Sequence, residues 1–469
     1  QAQDYLVVVL ALQLREMQVI TSLLFLAPLL AEGEHQSWLE WLTDGSVGSL
    51  RATTGTLGVP SLASSPQRKA PDASKWDALR TLLDGWEFTS NYSVAVGDAT
   101  GNLFTYNGGN FTMRTKIPTG STSKWPSAMM FAGLVNDGTI ASLDDPVNKY
   151  VSWWTHNASD LRSTVTFRML LSFTSGFGGG HPGEEANTRA ARTWRQRHNV
   201  PRRHPEVSLR ERLAPEIGVQ AAKPCDTETG DVLECAKSIY QGVKLIGKPG
   251  QVYSYNSNHL QLAAAVSMTA SGLSVQEIIH KYLVVPFNMT ESFYFGTCPD
   301  FGGSLVTDAA DYEKFLQGLL NYKALSRAII DASEEDATPF MSYYYTLYGD
   351  YGFGHFLMCF DSVDGFTEQC KEAKCHMDPG AFGFIPIIDR KHGYYMEVVA
   401  AETYPTGSYP LSGVPEYLAI AIKKNIDAIM SDHPLDSSAH FSHSPELLSL
   451  SVYDVNYCLD CKLHPDHCS

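Results

Sequence analysis

The sequence predicts an α+β fold of the sandwich type: one antiparallel sheet formed from both chain ends and flanked by helices, plus a mostly helical subdomain. Two observations carry this. β-rich runs occur early in the main body, at Tyr92 to Val96 and Leu103 to Tyr106, and again late, at Tyr351 to Met358, Ala381 to Ile388 and Tyr394 to Ala401. Between these two groups the apolar residues recur at helical spacing instead of alternating. Strands from both ends with helices in the middle close most simply into one sheet covered by helices.

The elements follow in order. Lys75 to Trp86 sets Trp76, Leu79, Leu82 and Leu83 at helical spacing. The first two strands flank Asp98-Ala99-Thr100-Gly101, a hairpin signal. A helix is expected from near Ser121 through Met129, Met130 and Leu134, with Gly133 and Gly138 at its far end. Pro126 fits because it falls in the first turn, where a missing N–H does no harm. Thr166 to Leu171 starts a helix that stops at Ser175-Gly176. His259 to Ala270, Ser274 to Leu283 and Ala309 to Leu320 read as helices, and Pro415 to Met430 as a long amphipathic one. The late strands, separated by turns such as Asp389-Arg390-Lys391-His392-Gly393, read as an antiparallel meander.

The chain has 469 residues, 44% of them hydrophobic, enough for a large buried core. Its formal charge of −16 argues against nucleic acid as a partner, since a phosphate backbone needs a basic footprint. Residues 1–31 carry two apolar stretches, Tyr5 to Leu12 and Val19 to Leu30. The second resembles a signal-peptide core, with Arg15 before it and small residues at Ala27 to Ala31. It reads as a cleaved leader or a retained anchor; the alternative is a buried N-terminal helix. Residues 32–75, rich in Ser, Gly, Thr and Pro, read as a linker. The main domain spans 76–432, and 433–469 form a tail. Within the domain, 184–224 is foreign in composition: eight arginines lie between Arg189 and Arg212. That stretch is either a basic docking loop or a solvated excursion, the latter favoured by its lack of apolar periodicity.

Four glycosylation sequons, at Asn91, Asn110, Asn157 and Asn288, together with nine cysteines, point to a secretory route. Cys225/Cys235 and Cys370/Cys375 are spaced for short disulfide loops, although spacing alone does not fix connectivity, and several cysteines could equally be buried thiols. The tail holds Cys458-x-x-Cys461-x-x-His464-x-x-His467-Cys468, which has zinc-ligand character; in a secreted chain disulfides with exposed histidines are the commoner outcome. No metal or organic cofactor is expected.

The sharpest local feature is Gly120-Ser121-Thr122-Ser123-Lys124. On a helix, positions i and i+3 share a face, so the Ser121 hydroxyl and the Lys124 amine can meet. A serine hydroxyl needs a base to become a nucleophile, and lysine can serve once burial favours its free amine. Helix N-terminal amides can hold a developing oxyanion.

The segment TGSTSKWPSAMMFAGLVNDGTIASLDDPVNKYV, from Thr119 onward, resembles the serine β-lactamase and penicillin-binding-protein family, above all its class C-like and esterase-like members. FRMLLSFTSGFGGG, PGQVYSYNSNHLQLAAAV, GSLVTDAADYEKFLQGLL and PGAFGFIPIIDRKHGYYMEVVAAE resemble successive later segments of that family, in its order, over roughly residues 75–430. The resemblance implies an acyl-enzyme mechanism, with Ser121 as nucleophile, Lys124 as base and Tyr255 as the second-motif proton carrier. For Tyr255 the alternative is plain aromatic packing. Two departures stand out. The usual Tyr-x-Asn reads Tyr255-Asn256-Ser257, leaving the substrate-binding role to Ser257, Asn256 or Asn258. The third motif, normally Lys or His, any residue, then Gly, has Gly380 for its glycine and Asp378 where a cation belongs; His376, two places earlier, substitutes if the strand bulges, the alternative being a loop residue beside Cys375. Ala381, just after Gly380, would supply the second oxyanion amide. The resemblance thus implies a secreted serine hydrolase of esterase, D-aminopeptidase or β-lactamase-like type. Its partner would be a small molecule or peptide with an ester or amide bond, and it would touch a membrane only through an uncleaved N-terminal segment. The alternative is an inactive member kept as a binding or scaffold protein.

Overall fold

The computed structural model describes residues 73–86, 91–179, 225–340, 348–358, 368–400 and 413–431. The chain divides into two units, residues 1–70 and 71–469. The leader-like stretch, nearly all of the linker, the 184–224 insertion and the Cys/His tail lie outside the described residues.

A 3₁₀ turn, Ala73–Trp76, runs into α1, Asp77–Asp84. The hairpin β1, Tyr92–Asp98, and β2, Gly101–Gly108, is followed by β3, Ile117–Pro118. A second 3₁₀ turn, Gly120–Ser123, leads directly into α2, Lys124–Asn136. Then come α3, Phe167–Leu171; α4, Val232–Gly242; α5, Asn258–Ser271; and α6, Val275–Ile279, continued through a π turn into α7, Val285–Phe287. Two short strands, β4, Phe293–Tyr294, and β5, Leu305–Thr307, precede α8, Ala309–Leu320, and α9, Arg327–Ser333. The last stretch holds β6, Tyr348–Tyr351; β7, Phe356–Met358; α10, Glu368–Ala373; β8, Cys375–Met377; β9, Phe384–Asp389; β10, Tyr394–Ala400; and α11, Gly413–Met430.

The main sheet has seven strands in the order β2-β1-β10-β9-β8-β7-β6, all pairs antiparallel. Strands from the two chain ends meet at β1 and β10, with Val94 opposite Val398. A small sheet, β3-β5-β4, sits apart. Both faces of the main sheet are covered, so β10 is buried at every position, without alternation and with Glu397 its one acidic residue. Tyr394, Met396 and Val398 pack with Leu418, Ile422 and Ile426 of α11 and Leu79 and Leu83 of α1. Tyr395, Val399, Phe384 and Ile388 face the larger core built on α2, α5 and α8. Helices α2 and α5 lack a polar stripe: Lys124 to Leu134 and His259 to Ser267 are buried throughout. A helix buried all round belongs at the centre of a domain.

Three expectations are revised. The run Tyr351 to Met358 is two strands, because Gly352 N–H turns back onto His355 O at 2.9 Å and Gly354 takes φ +72°. Strand β9 starts only at Phe384, residues 381–383 forming the preceding turn; β8, three residues long, is too short to show a period in the sequence. The Cys225–Cys235 disulfide forms, but the Cys370/Cys375 loop does not: Cys370 is in another disulfide and Cys375 is a buried thiol.

Two predictions follow from this packing. Ile422→Ala empties a fully buried position between α11 and the sheet, and chemical denaturation should register a loss of about 2–5 kcal/mol. Glu397, on β10, is fully buried, neither carboxylate oxygen has a hydrogen-bond partner, and burial followed by repulsion from Glu313 and Asp308 holds its carboxyl well above the usual range. It stays neutral when folded but ionises when unfolded above about pH 4, so it costs more stability as pH rises. Glu397→Gln should therefore raise the melting temperature at pH 8 and show little gain at pH 4.

Candidate active site

The turn before α2 is pinned from both sides. Gly120 has φ +58°, a left-handed conformation, and a Cβ there would press within 3.1 Å of the Phe382 ring and 3.3 Å of the Ala381 amide nitrogen. Thr122 Oγ1 bonds Asp378 O at 2.7 Å and Phe384 O at 2.8 Å. Leu305 N–H donates to Ser123 Oγ at 3.0 Å, and Thr119 N–H to Leu305 O at 2.9 Å. Gly380 abuts the same turn so closely that a Cβ on it would fall 2.0 Å from Thr119 O. The β8–β9 connection, β5 and α2 thus fix one short stretch of backbone.

On that stretch Ser121 and Lys124 are brought together. Lys124 Nζ donates to Ser121 Oγ at 2.9 Å and to Gly302 O at 2.8 Å. Both side chains are buried, Ser121 at 8% and Lys124 at 4% exposure. The Tyr255 ring lies beside them, its centroid 4.5 Å from Lys124 Nζ. That ring is stacked on Phe356 and edge-on to Tyr351, while Tyr255 itself remains half-buried. Next to it, Ser257 Oγ lies against Gly302, 2.2 Å from where a Cβ on that glycine would stand. Ala381 is half-buried, and its amide nitrogen lies 3.3 Å from where a Cβ would stand on Gly120, the residue before Ser121.

Other sequence-derived candidates face elsewhere. Asn256 spends its amide on Ser254 Oγ at 2.7 Å, on Phe177 O at 3.3 Å and on the His259 ring, and its oxygen accepts Asn258 N–H, so it is part of the second motif's scaffold. Asn258 bonds Gly178 O at 2.7 Å. Of the three, only Ser257 stays beside the Lys124 anchor. His376 is fully buried behind Trp125; its Nδ1 meets His355 Nε2 at 3.2 Å, and its Nε2 lies 3.5 Å from Glu334, which Arg390 grips with two nitrogens. No bulge brings it to the pocket, because β8 pairs regularly with both neighbours and sets His376 opposite Ile388 on the core-facing side. Asp378 is also fully buried. Its Oδ2 accepts Trp125 N–H at 3.0 Å, its Oδ1 has no hydrogen-bond partner, and burial, opposed by nearby Lys124, pushes its carboxyl well above the usual range. Neither residue presents a cation to a substrate.

Sequence reasoning missed three contributors: the Gly302 carbonyl, Thr122 and Trp125. Gly302 arrives from a loop nearly two hundred residues downstream, with no local signal. Thr122 and Trp125 sit inside the recognised motif and were legible only as filler. Away from this site, Asp389, His392 and Asp427 converge as a metal triad would. Lys423 Nζ already bonds both carboxylates, at 2.6 Å and 2.9 Å, so the protein supplies its own cation there.

Comparison with known proteins agrees with this architecture. The Beta-lactamase family profile matches residues 89–408. No curated protein sequence matches significantly. Among solved structures, a β-lactamase candidate from Bacteroides dorei DSM 17855 is similar at TM-score 0.54 and 20% identity, covering 76% of this chain and 99% of its own. Simvastatin synthase from Aspergillus terreus aligns at TM-score 0.52 and 16% identity over 77% of this chain and 99% of its own. EstCE1, a hydrolase with promiscuous acyltransferase activity, aligns at TM-score 0.51 and 13% identity over 74% and 98%. The structural matches speak for the fold, and the profile, spanning well over half the residues, fixes the kinship: this chain belongs to the Beta-lactamase family.

Proposed function

We propose that this protein is a serine hydrolase that forms an acyl-enzyme at Ser121 on ester or amide substrates. The observation that carries the reading is the 2.9 Å contact between Lys124 Nζ and Ser121 Oγ at the buried start of α2. Ser121 Oγ attacks the substrate carbonyl while its proton passes to the Lys124 amine. Burial and the positive end of the helix dipole both work against a resident ammonium, which favours that amine. The Ser121 and Ala381 amides hold the tetrahedral oxyanion. The proton then reaches the leaving group by way of the Tyr255 hydroxyl, and water releases the acyl group by the reverse path.

The substrate class follows from what the third motif lacks. With Asp378 bound beneath the helix as a neutral acid and His376 locked behind Trp125, no cation from this strand awaits a substrate carboxylate. Ser257 offers a hydroxyl where an amide is usual. This favours an uncharged acyl group over a β-lactam or peptidoglycan carboxylate. Acyl transfer also features in the name of one fold neighbour, EstCE1, a hydrolase with promiscuous acyltransferase activity.

We further place the protein on the secretory route. All four sequon asparagines, Asn91, Asn110, Asn157 and Asn288, are exposed, and a local disulfide joins Cys225 to Cys235. Among the described residues no single helix is long and apolar enough to cross a membrane. The proposed membrane contact through residues 1–31 falls outside them.

A fluorophosphonate probe should label the wild type covalently, and Ser121→Ala should lose the label. Lys124→Ala should lower nitrophenyl-ester turnover by about 10²–10⁴. Equal labelling of the wild type and Ser121→Ala sinks the assignment, and a wild type inert to probe, esters, nitrocefin and D-alanyl peptides points to the binding-protein alternative. Of two nitrophenyl esters matched in length, the one with an uncharged chain should exceed the one ending in a carboxylate by roughly tenfold or more in kcat/KM. Asp378→Asn, which replaces a neutral acid by a neutral amide, should leave neutral-ester turnover within severalfold of wild type; a collapse would mean that Asp378 works as an anion.

A further inference from the structure

Outside the proposed catalytic pocket, one glutamine amide links a disulfide to a buried thiol. Cys225 and Cys235 are joined, and Cys298 is a fully buried thiol. Gln261 Nε2, on α5, lies 3.8 Å from Cys235 Sγ and 3.9 Å from Cys298 Sγ, so one amide nitrogen touches a disulfide sulfur and a thiol sulfur together. The backbone holds the two segments side by side. Cys298 N–H donates to Thr227 O at 3.1 Å, and Thr297 Oγ1 donates to Glu228 O and Gly230 O at 2.9 and 2.8 Å. The loop closed by the disulfide is therefore laced to the segment that carries the thiol.

We propose that Cys225, Cys235 and Cys298 form a thiol–disulfide exchange site with two isomers, one bonded 225–235 and the other 235–298. Deprotonated Cys298 attacks Cys235 Sγ. The 235–298 bond forms, the 225–235 bond breaks, and Cys225 leaves as a thiolate that takes up the proton Cys298 released. Nothing is oxidised or reduced overall, so no outside reagent is consumed. Attack falls on Cys235 because it is the disulfide sulfur that shares the Gln261 amide with Cys298. Burial pushes the Cys298 thiol up to about 11, with Asp231, Asp300 and Asp226 adding to the effect. Exchange is therefore slow at neutral pH and quickens as the thiolate is populated.

The site is wired to the lysine anchor. Gln261 Oε1 accepts Phe301 N–H at 3.4 Å, and the next residue, Gly302, supplies the carbonyl that holds Lys124 Nζ. Bonding Cys298 to Cys235 draws the 298–302 segment toward α4 and loosens that carbonyl's hold. This consequence rests on the hydrolase reading; the exchange itself does not.

Cystine mapping by mass spectrometry, on the full chain alkylated without reduction, tests the proposal. Cys225→Ser, equilibrated with oxidised glutathione as the two-electron oxidant and then freed of it, should carry a 235–298 cystine. Wild type held at about pH 9 should accumulate the same peptide, while Cys298→Ala retains only the 225–235 bond at any pH. The wild-type arm stands even if Cys225→Ser folds poorly. Full alkylation of both Cys235 and Cys298 in folded Cys225→Ser, or no 235–298 peptide from wild type, overturns the exchange site. In the 235–298 isomer, fluorophosphonate labelling of Ser121 should slow severalfold; an isomer that forms in a protein that never labels counts against the hydrolase reading and leaves the exchange standing.

Discussion

A lysine at the first turn of a helix buried on every side is an expensive feature, and most of the surrounding architecture answers to it. Its stem needs apolar neighbours, and its nitrogen needs acceptors that do not fix it as an ion. Ser121 Oγ and Gly302 O supply two neutral acceptors. Asp378, a carboxyl near enough to feel the Lys124 charge, is buried with its Oδ2 accepting the Trp125 N–H, and burial holds it well above the usual range. A free carboxylate in the same place would hold the ammonium and silence it as a base.

That constraint explains why the helix must start where it does. Gly120 in a left-handed conformation turns the chain sharply out of β3, so that Ser121 presents its hydroxyl before the first α-helical turn begins. Thr122 then ties the turn to the β8–β9 connection, and Ser123 ties it to β5. Each residue of the motif between the serine and the lysine therefore has a fastening task, and the spacing brings hydroxyl and amine to one face because both neighbours are held.

Much of the fold was legible because its signals are local. Helix α8 coincides with its expected bounds, and the hairpin β1–β2 follows from a turn tetrad between β-rich runs. The sheet's closure through β1 and β10 could be argued from where strands fall along the chain. What failed was register-dependent. At β8 a shift of one residue decides which of the two cores a side chain enters, and three residues, all buried, carry no period from which to read it. His376 and Asp378 accordingly looked like pocket residues, yet both are fully buried, one meeting His355 and Glu334 and the other the Trp125 amide. Asn256 failed for a related reason: at the mouth of a helix, a polar side chain can serve the substrate or the turn, and here the turn takes it.

The departures in the second and third motifs have a shared physical sense. A cation at the third motif would stand close to Lys124 and add like-charge repulsion, while offering a substrate carboxylate its partner. Replacing it with an acid that folds inward removes both effects at once. Ala381 and Phe382 press against Gly120, and the Ser257 hydroxyl lies against Gly302. Restoring a cation at 378 would remove the acceptor of the Trp125 amide and set a like charge beside Lys124.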